Sequence, residues 1–113
     1  MTSTQLEGKI MLGNNIDHMG LMKSNYIDLI VTSPPYDDER EYDGYDFDFE
    51  KTAISAHRIL RHGGVMIWNV GDKVKDVKVP CGSIVKNTDS LTSFRQAIYL
   101  QEIGFSVRVM IFR

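Results

Sequence analysis

The feature that most constrains this chain is an apolar run, Ile27–Thr32, that stops at Ser33-Pro34-Pro35-Tyr36. Near-continuous apolar side chains are typical of a parallel strand that is covered on both faces. Proline has a fixed φ and no N–H, so Pro34 and Pro35 end the strand and hold the neighbouring carbonyls and the ring of Tyr36 in one arrangement. Because ligands of open α/β sheets bind beyond the carboxyl ends of the strands, we expect a site at this tip.

Such a tip suits methyl transfer to the exocyclic amino group of a nucleobase. The lone pair of an aromatic amine is delocalised into the ring, and acceptors that bind its N–H groups draw the nitrogen toward a tetrahedral, nucleophilic shape. The hydroxyl of Ser33 and the carbonyl of Pro34 are such acceptors, and Tyr36 can stack on the base. The structural alternative is a strand that ends in a Pro-Pro turn with a surface tyrosine.

An apolar strand followed by Ser33-Pro34-Pro35-Tyr36 resembles the catalytic motif of the S-adenosylmethionine-dependent DNA amino-methyltransferases, the N6-adenine and N4-cytosine enzymes. The stretch from Lys9 to Arg113 resembles the amino-terminal half of their circularly permuted class, in which the catalytic half comes first. The resemblance implies an α/β fold for residues 1–113, a single domain with a partial, doubly wound, mainly parallel Rossmann-like sheet. The target-recognition region and the Phe-x-Gly-x-Gly cofactor loop of these enzymes are missing from the sequence.

The resemblance also implies cofactor contacts. In the family, a first strand ends in Gly-Asp, whose polar side chain lies near the adenine of S-adenosylmethionine. Here Gly13-Asn14 follows the apolar segment Lys9–Leu12. An amide can hydrogen-bond an adenine edge without bringing charge, so Asn14, together with Ser33, is the implied cofactor-binding set. The alternative for Asn14 is a plain helix cap.

Periodicity and capping signals predict the remaining elements. After Tyr36 we expect a loop that folds over the site. Helical spacing predicts that Ala53, Ile54, His57 and Leu60 face inward on one helix, and Phe94, Ala97 and Ile98 on another. The predicted elements are a strand at Lys9–Leu12, a helix over Ile16–Met22, a helix from Phe49 to Arg61 capped by Asp48 and ended by Gly63-Gly64, a strand at Val65–Val70 beside Ile27–Thr32, a mobile loop over 73–89, a helix from Thr92 or Ser93 to Glu102 or Ile103, and a last strand at Ser106–Arg113.

The charge balance is unusual for a protein that binds DNA. The formal net charge is −2 and the pI is about 5.9, whereas a DNA-binding face should be basic. Residues 37–50 hold eight acids against one base, Arg40, a local charge of −7. A complete enzyme would therefore need its DNA-gripping surface elsewhere.

The sequence contains few residues that could bind a metal or act as a nucleophile, and their positions argue against metal-dependent or cysteine-dependent reactions. Cys81 is the one cysteine in the sequence, so neither an internal disulfide nor a multi-cysteine metal site can form, which fits a cytoplasmic location. Pro80-Cys81 invites comparison with the nucleophile of C5-cytosine methyltransferases, but it does not follow an apolar strand. The three histidines show no ligand spacing, and we expect no metal. No apolar run is long enough to cross a membrane.

We therefore expect a restriction-modification type DNA methyltransferase that acts on a cytosine or adenine flipped out of the duplex. The chain alone is expected to be inactive and to form a homo-oligomer or pair with a complementing carboxyl-terminal half, because the strand at Ile27–Thr32 would have an open edge. One alternative is a non-catalytic remnant or assembly subunit. Another is an RNA or protein amide N-methyltransferase, although those use a related Asn-Pro-Pro-Tyr tip.

Overall fold

A computed structural model describes residues 3–34 and 48–109. Pro35 and Tyr36, and most of the acidic segment that we expected to fold over the site, lie outside this part of the chain. Within it, no helix is long and apolar enough to cross a bilayer. The helices and strands are α1 (Ser3–Leu6), α2 (Asn15–Gly20), β1 (Ile27–Thr32), α3 (Phe49–Ile59), β2 (Leu60–Trp68), β3 (Val74–Lys78), β4 (Ile84–Asp89) and α4 (Thr92–Glu102).

The centre of the fold is a parallel pair formed by β1 and β2. Leu29 is opposite Val65, and Thr32 is opposite Trp68. The ladder continues one step further, where the amide of Asn69 donates to the carbonyl of Thr32 at 2.9 Å. Parallel neighbours need a crossover connection, and α3 supplies it, which makes β1, α3 and β2 a βαβ unit. This confirms the α/β fold and the predicted adjacency of the two strands.

Helix α3 begins as predicted and fastens α2 to the sheet. The carboxylate of Asp48 caps it by accepting from the amide of Lys51 at 3.0 Å. Arg58 donates to the carbonyls of Met22 (2.8 Å) and Met19 (2.6 Å), which lie at and beyond the end of α2. The buried residues form a stripe of mostly small side chains, Thr52, Ala53, Ala56 and Ile59.

The inward face predicted for α3 was therefore only partly right. Ala53 is buried, but Ile54 is 53% exposed and His57 is also exposed. Small side chains face the neighbouring elements, and they allow the helix to approach them closely. Close packing of these small side chains therefore determines which face of α3 is buried. The hydrophobicity of Ile54 is not enough to bring that residue to the buried face.

The predicted glycine cap after α3 was wrong. The helix ends at Ile59, and the buried Leu60 is already extended, with φ −69° and ψ 132°. The amide of Tyr26 donates to the carbonyl of Ile59 at 2.7 Å, so pairing with the segment before β1 draws the chain out of the helix at once. Gly63, with φ +79°, lies instead within an irregularity of the β1–β2 register.

Residues 73–89 form an antiparallel hairpin, β3–β4, where a mobile loop was predicted. Lys75 is opposite Thr88 and Lys78 is opposite Ile84. Pro80 and Gly82, which suggested a broken loop, lie in the turn between the strands, where Gly82 has φ +92°. The turn closes through an amide-to-carbonyl bond from Val79 to Ser83 of 2.9 Å.

Two predicted strands do not form within the described residues. Residues 9–12 are not a strand, and Ile10 and Leu12 are fully exposed. Residues 106–109 are also not a strand, and residues 110–113 lie outside the described part. A strand needs a hydrogen-bonding neighbour, and the described residues place none beside either segment. At the amino terminus, Ser3–Leu6 form the short helix α1.

One face of the parallel pair is uncovered by any described residue. Leu29, Val31, Val65 and Ile67 form two adjacent cross-strand pairs on this face, and they are 51–65% exposed. Residues on the opposite face, such as Ile30 and Met66, are partly buried. We call this patch of four side chains the open face.

The packing of Gly64 gives a test of the β1–β2 register. A Cβ at Gly64 would lie 2.9 Å from the carbonyl oxygen of Arg61 and 3.2 Å from that of Asp28, so backbone would have to move. We expect Gly64→Ala to lower the free energy of unfolding by about 1–3 kcal/mol. At Gly20, in α2, a Cβ meets nothing within 4 Å. Gly20→Ala should be neutral or stabilising by up to about 1 kcal/mol. Urea titrations followed by circular dichroism measure both, and equal effects would contradict the register.

Candidate active site

Ser33 and Pro34 lie at the carboxyl edge of the parallel pair, where the sequence predicted a site. Ser33 is exposed and Pro34 is buried, which fits a polar group presented by a fixed backbone. Asn69 lies at the same edge, because its amide bonds to Thr32, the residue before Ser33. Alternation along the strands places Ser33 and Asn69 on the side of the open face. The positions of Pro35 and Tyr36 relative to them stay predictions.

An aromatic cluster supports this edge from the covered side. The ring of Phe49 makes edge-on contacts with Trp68 and Tyr99, with centroids 5.5 and 5.4 Å apart. The indole N–H of Trp68 donates to the side-chain oxygen of Gln96 at 3.0 Å. Trp68 is opposite Thr32, so the cluster lies directly behind the start of the tip.

The contact between Trp68 and Gln96 was not predicted from the sequence. Gln96 is buried and faces inward on α4, whereas Phe94 and Ile98, which were expected to face inward, are 43% and 58% exposed. The indole N–H needs an acceptor when it is covered, and this need turns α4 so that Gln96 faces the sheet. The only signal for this contact in the sequence was the position of Gln96, a polar residue next to Ala97 of the predicted inward face.

The phenol of Tyr99 is held in its neutral form. Loss of hydration raises the pKa of Tyr99, and the carboxylates of Glu50, Asp48 and Glu102 raise it further. The residue therefore contributes a neutral ring and hydroxyl to the aromatic cluster at all physiological pH values.

Asp72 joins the end of β2 to α4 and to the hairpin. Its carboxylate accepts from the amide of Ser93 at 2.8 Å, and from the hydroxyls of Ser93 and, at 3.3 Å, of Ser90. It therefore acts as the cap of α4, whose own flanking residue, Leu91, makes no side-chain cap bond. Partial burial by itself raises the pKa of Asp72, but the hydrogen bonds from Ser93, Ser90 and Thr92 bring it below its ordinary value.

The fully buried Ser90 completes this joint at the base of the hairpin. Its amide donates to the carbonyl of Lys73 at 2.8 Å, and its hydroxyl accepts from the amide of Lys73 at 3.3 Å. Arg95 donates to the carbonyl of Ser90 at 2.6 Å. The sequence did not predict the role of Asp72 as a joint.

Comparison with known proteins identifies the family. A model of the DNA methylase family matches residues 27–113, which include the whole of the candidate site. The chain belongs to the DNA methylase family. This membership confirms the resemblance to DNA amino-methyltransferases that the sequence indicated.

Two curated methyltransferases are similar over a large part of this chain. The orphan methyltransferase M.BamHII of Bacillus amyloliquefaciens is 48% identical over 81 residues, which are 72% of this chain and 27% of that protein. The type II methyltransferase M.BglII of Bacillus subtilis is 32% identical over 74 residues, 60% of this chain and 21% of that protein. The chain thus spans about a quarter of the length of these relatives. No solved structure matches it significantly.

Membership of the DNA methylase family implies S-adenosylmethionine as methyl donor. A helix amino terminus with free amides is a common anion site. Here α2, α3 and α4 are closed by the side chains of Asn14, Asp48 and Asp72. In the ranges 3–34 and 48–109 there is also no cluster of three metal-ligating side chains.

Asn14 forms the helix cap that was the alternative to a cofactor role. Its side-chain oxygen accepts from the amide of Ile16 at 2.9 Å. The contact predicted between Asn14 and the cofactor adenine stays a prediction. Cys81 lies exposed in the turn of the β3–β4 hairpin, which agrees with the rejection of a C5-cytosine mechanism.

The joint at Asp72 predicts a pH dependence of stability. Because folding lowers the pKa of Asp72, its contribution is complete above the ordinary aspartate value of about 3.9 and is lost as the pH falls through the folded-state value. Asp72→Asn should lower the urea midpoint at about pH 6, and should shrink the drop between pH 6 and pH 3. Asp89→Asn, which removes an exposed hairpin carboxylate, is the control. An equal pH dependence of the urea midpoint in the two variants would show that Asp72 does not stabilise the fold through this joint.

Proposed function

We propose that this chain is the catalytic half of a site-specific DNA methyltransferase that modifies the exocyclic amino group of cytosine (N4) or adenine (N6). The observation that carries the proposal is the Ser33-Pro34 tip at the carboxyl edge of a parallel βαβ unit, inside the region that matches the DNA methylase family. The serine is found in both target classes, so the base stays open. The names of the relatives, an orphan and a type II methyltransferase, support a role linked to restriction-modification. A DNA substrate would place this role in the cytoplasm.

In this mechanism, the chain's residues activate the methyl acceptor. The hydroxyl of Ser33 and the carbonyl of Pro34 accept from the two N–H groups of the flipped-out base, which localises the nitrogen lone pair. Pro34 and Pro35 hold these acceptors at a fixed backbone angle, and Tyr36 stacks on the base. Near-attack geometry requires a tip that moves little. The cluster of Phe49, Trp68 and Tyr99 supplies rigidity behind it.

The donor site belongs to another part of the enzyme on this proposal. Since the amino termini of α2, α3 and α4 are capped by side chains, we propose that the methionine end of S-adenosylmethionine is bound by a segment supplied from elsewhere. The chain alone is therefore proposed to be inactive. M.BamHII, of which this chain matches 27%, is a suitable source of the remaining sequence for a test.

The catalytic assignment predicts the activity of a chimera. In M.BamHII, the segment that corresponds to residues 27–113 of this chain, the span of the family match, is replaced by those residues, and transfer of a labelled methyl group to duplex DNA is measured. Ser33→Ala should abolish most activity, because one acceptor is lost. Tyr36→Ala should cost about 1–3 kcal/mol of base stacking, which is roughly a five- to 150-fold loss. The 113-residue chain by itself should show no transfer.

Two matched variants separate chemistry from folding in this experiment. Tyr36→Phe keeps the ring and should retain activity, whereas Ser106→Ala removes an exposed hydroxyl outside the tip and should have no effect. An active chimera in which Ser33→Ala and Tyr36→Ala both transfer at the parent rate would disprove the assignment.

The open face supports the further proposal that another chain covers this sheet. Leu29, Val31, Val65 and Ile67 form one contiguous apolar patch, and among the described residues β1 pairs on one edge only. An unpaired edge beside an apolar face favours association. In a complete enzyme, the complementing carboxyl-terminal half would cover this face. In the isolated chain, we propose that a second copy does so.

Association through the open face predicts a homo-oligomer at tens of micromolar. The double variant Val31→Lys/Ile67→Glu places charges on the face and should shift the chain to monomer by light scattering. Ile54→Glu/Ile98→Lys changes two helix residues of similar exposure and should leave the oligomer intact. A monomeric parent chain, or equal effects of the two double variants, would refute the association.

A further inference from the structure

The β3–β4 hairpin is a basic segment of a chain whose acidic residues are concentrated in residues 37–50. Residues 73–89 contain four lysines and two aspartates, a charge of +2. Since the whole chain has a charge of −2, the remaining residues together carry −4. The lysines are Lys73, Lys75, Lys78 and Lys86.

The lysines of the hairpin are available to an external anion. Within residues 3–34 and 48–109, the ion pairs are Lys51–Asp48 and Arg61–Asp28, and neither involves the hairpin. Asp76 accepts from the backbone amide of Asn87 at 3.1 Å, so it is used within the ribbon. Lys78 and Lys86 are exposed.

The hairpin is anchored at the edge that carries the catalytic tip. Strand β2 ends at Trp68, opposite Thr32, and β3 begins at Val74, only five residues between them. The bonds of Asp72 and Ser90 fix the base of the ribbon to α4 and to the end of β2. The hairpin pairs only within itself in the described structure, so it extends from this anchored base.

The dimensions and charge of the ribbon match duplex DNA. Five residues of β3 span about 17 Å at roughly 3.3 Å per residue. Each DNA strand presents one phosphate per about 3.4 Å of axis, so the ribbon can lie along several phosphates. A two-stranded ribbon also has the width that the major groove admits.

We propose that the β3–β4 hairpin is a DNA-contacting ribbon that binds the phosphates flanking the target base. This inference rests on the proposed function for its choice of partner. Lysines contact phosphate without reading sequence, so the ribbon supplies affinity and orientation, and base recognition is left to other segments. It also supplies the basic surface that the net charge had seemed to exclude. The exposed side chains of Val74 and Ile84 make a protein the competing occupant, and the experiment distinguishes the two.

The test measures binding of the full 113-residue chain to a fluorescein-labelled 20-base-pair duplex, by anisotropy over a range of salt concentrations and without methyl donor. The triple variant Lys75→Gln/Lys78→Gln/Lys86→Gln should bind at least tenfold more weakly at low salt. Each lost phosphate contact lowers the slope of log K against log salt by about 0.9, so the slope should fall by about 2–3.

A matched triple variant controls for net charge. Lys9→Gln/Lys23→Gln/Lys51→Gln also changes the net charge from −2 to −5, but outside the hairpin. It should bind within about threefold of the parent chain. Equal losses in the two triple variants, or no binding of the duplex by the parent chain, would overturn the ribbon. Tighter binding of single-stranded RNA than of the duplex would overturn it as well.

Cys81 provides a second readout on the unmutated chain. It is the one cysteine in the sequence and lies exposed in the hairpin turn, where hydrogen bonds from the amide and hydroxyl of Ser83 lower its pKa and favour the reactive thiolate. Saturating duplex should slow its alkylation by a neutral maleimide severalfold. An unchanged rate with duplex bound would place DNA elsewhere and refute the inference.

These binding measurements are independent of catalysis. If the chimera methylates DNA while the hairpin variant binds normally, the ribbon is wrong and the proposed function stands. If binding depends on the hairpin while the chimera is inactive, the proposed function fails and the ribbon stands.

Discussion

The parallel pairing of β1 with β2 is the interaction on which the rest of the structure depends. Because parallel strands end at the same edge, this pairing places Ser33 beside Asn69 and sets Trp68 opposite Thr32. The need of the indole N–H for an acceptor then fixes α4 through Gln96. A shift of the register by one residue would exchange the two faces of the sheet and turn Trp68 away from α4.

Asp72 connects the end of the sheet to the base of the hairpin and so fixes the position of the hairpin. A two-stranded hairpin by itself is marginal in water, so its position must come from its base. There one carboxylate accepts hydrogen bonds from two serines, and the fully buried Ser90 holds both ends of the hairpin together. In a polar cluster of this kind each group depends on the others, because any unpaired member would be costly. These hydrogen bonds therefore fix the positions of the tip, α4 and the ribbon relative to one another.

The sequence predicted elements whose signal was local, and it failed where a neighbour decides the structure. Ile27–Thr32 and the Asp48 cap followed from an apolar run and a capping carboxylate, and both are confirmed. The hairpin was not predicted, because Pro80 and Gly82 were interpreted as breaks in secondary structure, whereas they lie in its turn. Lys9–Leu12 is apolar enough for a strand but has no partner among the described residues. The tip was recognisable from Ser33-Pro34-Pro35-Tyr36, whereas the joint at Asp72 depends on residues 18–21 positions away.

The segments that follow the two strands of the parallel pair have opposite charges. Both strands of the parallel pair end at the same edge, and the sequence that follows each has the opposite sign: residues 37–50, after β1, carry −7, and residues 73–89, after β2, carry +2. An evenly basic chain would attract phosphate along its whole surface. If the proposed ribbon is the attractive element, the duplex would be drawn toward the side of the tip on which β2 ends. On this proposal, the position of the ribbon, and not the net charge of the chain, favours one orientation of bound DNA.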